Sequence, residues 1–85
     1  MPPGPDTSIP ETCDLRGLNC PLPVLRSKKR LAGMRPGARL WVETTDPLAA
    51  IDIPAFCNEA GHRIIESLPV SGGNRFLIER GEAGG

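Results

Sequence analysis

Proline and glycine punctuate this chain so densely that no regular element can run far. Gly17, Pro21, Pro23, Pro36-Gly37, Pro47, Pro54, Gly61 and Gly72-Gly73 cut the stretch between residues 11 and 81 into short pieces. Proline fixes φ and removes a backbone donor, and glycine frees the chain for tight turns. The fold must therefore be assembled from short strands and short helices. At 85 residues the chain fits one small domain with one modest core. Aromatic residues are only 4%, so that core is aliphatic, with Trp41, Phe56 and Phe76 as its only large rings.

Four prolines and a glycine in residues 1–10 predict a disordered tail. Residues 11–81 form the domain, and 82–85 are a loose end. Residues 12–16 (TCDLR) alternate as a half-buried strand, with Cys13 and Leu15 on one side. Residues 21–34 place Val24, Leu25, Leu31 and Ala32 at helical spacing, with Pro21 in the first turn and Pro36-Gly37 beyond the end. Residues 38–44 (ARLWVET) are a strand with Leu40 and Val42 on one face. Trp41, on the other, lies at a sheet edge or in a contact surface. Asp46-Pro47 and Asp52-Ile53-Pro54 both look like an N-cap followed by proline, which predicts a short turn from 47 and a main helix over 53–60. Residues 63–68 and 75–80 are strands joined by Ser71-Gly72-Gly73-Asn74. The order β-α-β-α-β-β predicts an α/β two-layer sandwich, a four-stranded mixed sheet with two helices on one face.

Ten basic and ten acidic residues cancel, which argues against a general nucleic-acid or membrane-surface binder. No apolar run approaches the roughly 20 residues of a membrane span, and the first residues lack the pattern of a secretory signal. Three widely spaced cysteines without a CxxC pair predict free thiols, a reducing cytoplasmic setting and no structural metal site.

Cys13 reads as a small core residue, and Cys57, after Phe56, as a structural thiol. Cys20 differs. It falls between a strand and a helix, at the expected N-cap, where the helix dipole and free N–H groups would favour a thiolate. Pro21 and Pro23 stiffen that first turn. His62, beside the helix-ending Gly61, reads as a surface or capping residue; the sequence leaves open whether it reaches Cys20, and a Cys-His hydrolase is disfavoured. A thiol that accepts and passes on a group needs less machinery. Arg26, Lys28, Lys29, Arg30 and Arg35 follow the cysteine on and after its helix, as a solvated face or a docking surface for an acidic partner.

Gly17-Leu18-Asn19-Cys20-Pro21-Leu22-Pro23 resembles the CPxP signature of the TusA/SirA-like sulfur-carrier family. Met34-Arg35-Pro36-Gly37, Thr45-Asp46-Pro47 and Asp52-Ile53-Pro54-Ala55-Phe56-Cys57 extend the likeness over residues 12–80. The resemblance implies the same two-layer sandwich and a sulfurtransferase-type persulfide carrier with no cofactor. Cys20 would take sulfane sulfur from a cysteine desulfurase or rhodanese-like donor and relay it to an acceptor protein. Destinations in the family are tRNA 2-thiolation, molybdenum-cofactor assembly and sulfur oxidation. It also implies supporting roles for Pro21, Pro23 and Asp46, and docking roles for Lys28 and Lys29, which the basic run extends to Arg26 and Arg30 on the same helix. Two other classes stand beside this: a regulatory or RNA-contacting module, and a thiol redox protein working with an intermolecular partner.

Overall fold

The computed structural model describes residues 10–82. The tail expected at 1–10 and the loose end expected at 82–85 lie almost wholly outside the described residues. Six elements follow in the order the sequence predicts: β1 (Glu11–Leu15), α1 (Leu22–Ala32), β2 (Arg39–Thr44), α2 (Ala49–Ala60), β3 (Arg63–Val70) and β4 (Gly73–Glu79). The strands form one mixed sheet in the order β1-β2-β4-β3. β1 lies parallel to β2, with Cys13 opposite Val42, and α1 is the crossover such a pair requires. β4 runs antiparallel to both β2 and β3. β3 therefore points the same way as β2, and α2 carries the chain across to it. The hairpin back from β3 then fills the gap with β4.

The period of two in β2 buries Leu40, Val42 and Thr44 on one face. Cys13 and Leu15 of β1 and Phe76 and Ile78 of β4 share that face, and both helices pack on it. From α2 come Ala49, Ile53 and Cys57, spaced by four as one helical stripe. From α1 the buried stripe is Pro23, Ser27 and Leu31; of the expected Val24-Leu25-Leu31-Ala32 face, Leu31 is buried and Val24 packs against the core, while Leu25 and Ala32 are exposed. Leu25 is 52% exposed. The polar Ser27 disguised the true stripe. Its buried hydroxyl donates to the Pro23 carbonyl at 2.7 Å, so it enters the core without an unmet bond.

The second helix also departs from expectation. Asp52-Ile53-Pro54 starts nothing: α2 runs unbroken from Ala49, with Pro54 inside it. The start belongs to Asp46, whose Oδ1 accepts from the Leu48 N–H at 3.1 Å while its carbonyl accepts from Ala49. The hairpin turn is tighter than expected. Val70 already pairs with Gly73, leaving Ser71 and Gly72 as the loop. Gly73 must lack a side chain, because a Cβ there would sit 1.9 Å from the Thr44 carbonyl oxygen. Trp41 is on an interior strand, half-buried, with the Arg75 guanidinium 4.2 Å from its ring centroid, and so is not an edge residue.

Candidate functional site

Two loops leave the sheet at the carboxyl ends of the parallel strands β1 and β2, and they are tied together. The first holds Arg16 to Pro21, the second Thr45 to Leu48. The Thr45 hydroxyl accepts from the Gly17 N–H at 2.9 Å, and Asp46 Oδ2 accepts from the Cys20 N–H. Asp46 thus bonds Leu48 through one oxygen and Cys20 through the other, fixing the cysteine's backbone against the start of α2. Cys20 is exposed, and its Sγ donates to Asp52 Oδ2 at 3.1 Å.

This geometry corrects the expected thiolate. Pro21 is the N-cap of α1, so Cys20 stands one residue outside the helix. The helix terminus also has few donors to offer a sulfur. Pro21 and Pro23 have no N–H, and the Leu22 N–H is taken by the Asn19 carbonyl at 2.8 Å. Facing the sulfur instead is the Asp52 carboxylate, which accepts its proton. That bond, with some desolvation and the negative charges of Asp52 and Asp46, pushes the Cys20 thiol up from its ordinary range. Cys20 at rest is a held thiol rather than a free thiolate.

The other cysteines lie where the sequence puts them. Cys13 is 5% and Cys57 1% exposed. Burial raises both thiols, Cys57 to about 11. All three cysteines are free. His62 is not a surface residue. It is buried against Phe56, and its Nδ1 accepts from the Gly81 N–H at 3.0 Å. It follows α2 at the end away from Cys20. The ten residue steps from Asp52 to His62, mostly helical, span about 15 Å, so His62 is no base for Cys20.

The basic residues of α1 divide. Arg26, Lys29 and Arg30 line a groove of about 920 Å³ along the β1 edge, with Arg35, Arg39, Glu11 and Cys13. Arg30 is held there by Glu11 at 2.6 Å. Lys28 is exposed and outside that groove, so the run is not one surface. Asp52 is the site residue that sequence reasoning missed. Its signal was an aspartate in a cap-like pattern that caps nothing.

The two-layer sandwich thus presents one exposed cysteine in the loop after β1, bonded by two aspartates from the next loop and helix. The chain belongs to the Sulfurtransferase TusA family, whose sequence profile matches residues 11–80. It is 45% identical over 67 residues to the Sulfur carrier protein TusA of Allochromatium vinosum, covering 79% of this chain and 88% of that protein. It is 36% identical over 73 residues to the Sulfur carrier protein TusA of Pseudomonas aeruginosa, covering 86% and 92%. The crystal structure of the SirA-like protein from Desulfitobacterium hafniense superposes with a TM-score of 0.74 at 28% identity, over 85% of this chain and 99% of that one.

Proposed function

We propose that this protein is a sulfur carrier that receives sulfane sulfur as a persulfide on Cys20 and relays it to a partner protein. The observation that carries this reading is the exposed Cys20 thiol, hydrogen-bonded to Asp52 and held through its backbone by Asp46. An exposed thiol on a pinned loop can enter another protein's active site, whereas Cys13 and Cys57 are buried.

The proposed transfer uses the thiol and the carboxylate beside it. Sγ of Cys20 attacks the outer sulfur of a persulfide on the donor, and its proton passes to the Asp52 carboxylate within hydrogen-bond reach. The new S–S bond forms as the donor's S–S bond breaks. The donor's inner sulfur leaves as a thiolate and takes up a proton. In the second half an acceptor thiolate attacks the outer sulfur on Cys20, the Cys20 S–S bond breaks, and the Cys20 sulfur leaves and takes up a proton. One sulfur atom moves at each step, and no external oxidant or reductant is consumed. Asp46 and the Pro21-Leu22-Pro23 frame keep the sulfur at a fixed place on the surface throughout.

A cysteine desulfurase or rhodanese-like protein is the donor class that supplies such a persulfide. Thiolation of tRNA, molybdenum-cofactor assembly or sulfur oxidation would consume it. No helix among the described residues is long and apolar enough to cross a membrane. Three free thiols suit a reducing cytoplasm. The test is a pulse of radiolabelled cysteine in the presence of a desulfurase. Label that is released by reductant and maps to the peptide containing Cys20 supports the reading. Label absent, or on Cys13 or Cys57, refutes it.

A further inference from the structure

Loading changes what Cys20 can offer its neighbours. Unloaded, its Sγ carries a proton and donates it to Asp52 Oδ2 at 3.1 Å. Loaded, the same Sγ is bonded to the outer sulfur and has no proton to give, so the bond to Asp52 is lost. A persulfide is also a stronger acid than its parent thiol, because the attached sulfur draws charge away. The loaded site is therefore negative near neutral pH, and it faces the carboxylates of Asp52 and Asp46. Neither is in an ion pair among the described residues. Like charges held close together disfavour the charged form. The nearest backbone donors do not offset this. Pro21 has no N–H, the Cys20 N–H goes to Asp46, and the Leu22 N–H goes to the Asn19 carbonyl.

Resting on the carrier reading above, we infer that Asp52 sets the direction of sulfur flow: its carboxylate favours Cys20 as the free thiol over Cys20 as the persulfide, and so makes this protein a strong sulfur donor. In the exchange it governs, the persulfide anion on Cys20 meets an acceptor thiol. The bond between Sγ and the outer sulfur breaks, and a bond between the acceptor sulfur and the outer sulfur forms. The acceptor's proton ends on Sγ, and the negative charge leaves with the outer sulfur. Nothing is oxidised or reduced overall. The products regain the Sγ–H bond to Asp52 and carry the charge away from it, so both effects of the carboxylate push the same way. Asp46 acts differently. Its oxygens are committed to the N–H groups of Cys20 and Leu48, so it fixes the backbone. Among the described residues the Asp52 carboxylate has no hydrogen-bond partner but the sulfur. A thiol set directly on a helix N-terminus would do the reverse, since the dipole stabilises an anionic load.

The experiment makes two versions of the protein compete for sulfur. Isotopically heavy wild type is loaded with inorganic polysulfide, freed of the excess, and mixed without air with an equal amount of unloaded Asp52→Asn near neutral pH. A trace of 2-mercaptoethanol, which is uncharged, shuttles sulfur between them. Intact mass reports which protein holds it, and the same end point is approached from loaded variant and unloaded wild type. The carboxylate predicts that sulfur gathers on Asp52→Asn by about tenfold over wild type, as for loss of a hydrogen bond to a charged group. Asp52→Glu keeps the charge and stays within about twofold of wild type. Heavy and light wild type divide the sulfur equally. A change in fold stability does not move a partition between two folded proteins, so this readout separates the charge from a structural role. Equal partition between wild type and Asp52→Asn overturns the inference, as does a gain by Asp52→Glu as large as that of Asp52→Asn. If neither wild type nor Asp52→Asn takes sulfur on Cys20 from polysulfide, the carrier reading falls and the inference falls with it.

Discussion

Replacing Asp46 by alanine removes the side chain that joins the Cys20 backbone to the start of α2, while the Thr45 bond to Gly17 remains. Two hydrogen bonds disappear: Oδ1 to the Leu48 N–H at 3.1 Å and Oδ2 to the Cys20 N–H. The first resembles a helix-cap bond, worth about 0.5–2 kcal/mol. The second is a bond to a charged acceptor, worth about 1.5–3 kcal/mol where water is excluded. Cys20 is exposed, so water replaces part of the second bond. The total should fall at about 1–3 kcal/mol, a Tm drop of about 4–24 °C for a domain of this size. Asp46→Asn keeps one acceptor oxygen and should lose about half as much. Urea unfolding followed by circular dichroism measures both. With the loop released, Cys20 also ceases to be held in place, so desulfurase loading should fall in the alanine variant at temperatures where it remains folded. An Asp46→Ala protein as stable as wild type, within about 0.3 kcal/mol, would show that the two loops are not joined through this carboxylate.

The Asp52 contact predicts a pH effect of definite sign: Asp52→Asn should move the iodoacetamide pH profile of Cys20 to lower pH and speed alkylation near pH 7, since the carboxylate now favours the thiol. An unchanged profile would remove Asp52 from the site. His62 is depressed by burial and by Arg80, so the unfolded chain binds its proton first. Stability should be full above about pH 6.5 and decline as pH falls below it, and His62→Asn should flatten that decline in pH-dependent melts. Gly73→Ala should be far more damaging than Gly72→Ala. The first drives a Cβ into the Thr44 carbonyl, whereas the second meets open space and carries only the cost, about 1 kcal/mol, of a left-handed φ of +77°. Comparable losses in the two would contradict the close approach of β4 to the end of β2.

The order of elements was legible because local signals agree with the fold. Leu40 and Val42 alternate cleanly, Gly61 does end α2, and proline marks the start of α1. The face of α1 was not legible, because a buried serine interrupts its stripe and an exposed Leu25 imitates part of it. Asp52-Ile53-Pro54 misled because its residues suit a helix start, yet the Asp52 carboxylate is engaged by a sulfur 32 residues away. That contact also reverses the expected acidity of Cys20, which a local helix-terminus argument placed too low. The exposed place of Cys20 was legible from its position between strand and helix. Its aspartate partner was not, since nothing within one segment records which residues meet across two loops.

The central claim is that a single thiol carries the sulfur. The measurement is intact mass after incubation with a cysteine desulfurase and cysteine, on wild type, Cys20→Ala, Cys13→Ala and Cys57→Ala. The account predicts one added sulfur atom, removed by reductant, on every protein except Cys20→Ala. A Cys20→Ala protein that still gains sulfur, or a Cys13→Ala or Cys57→Ala protein that remains folded and does not, would contradict it.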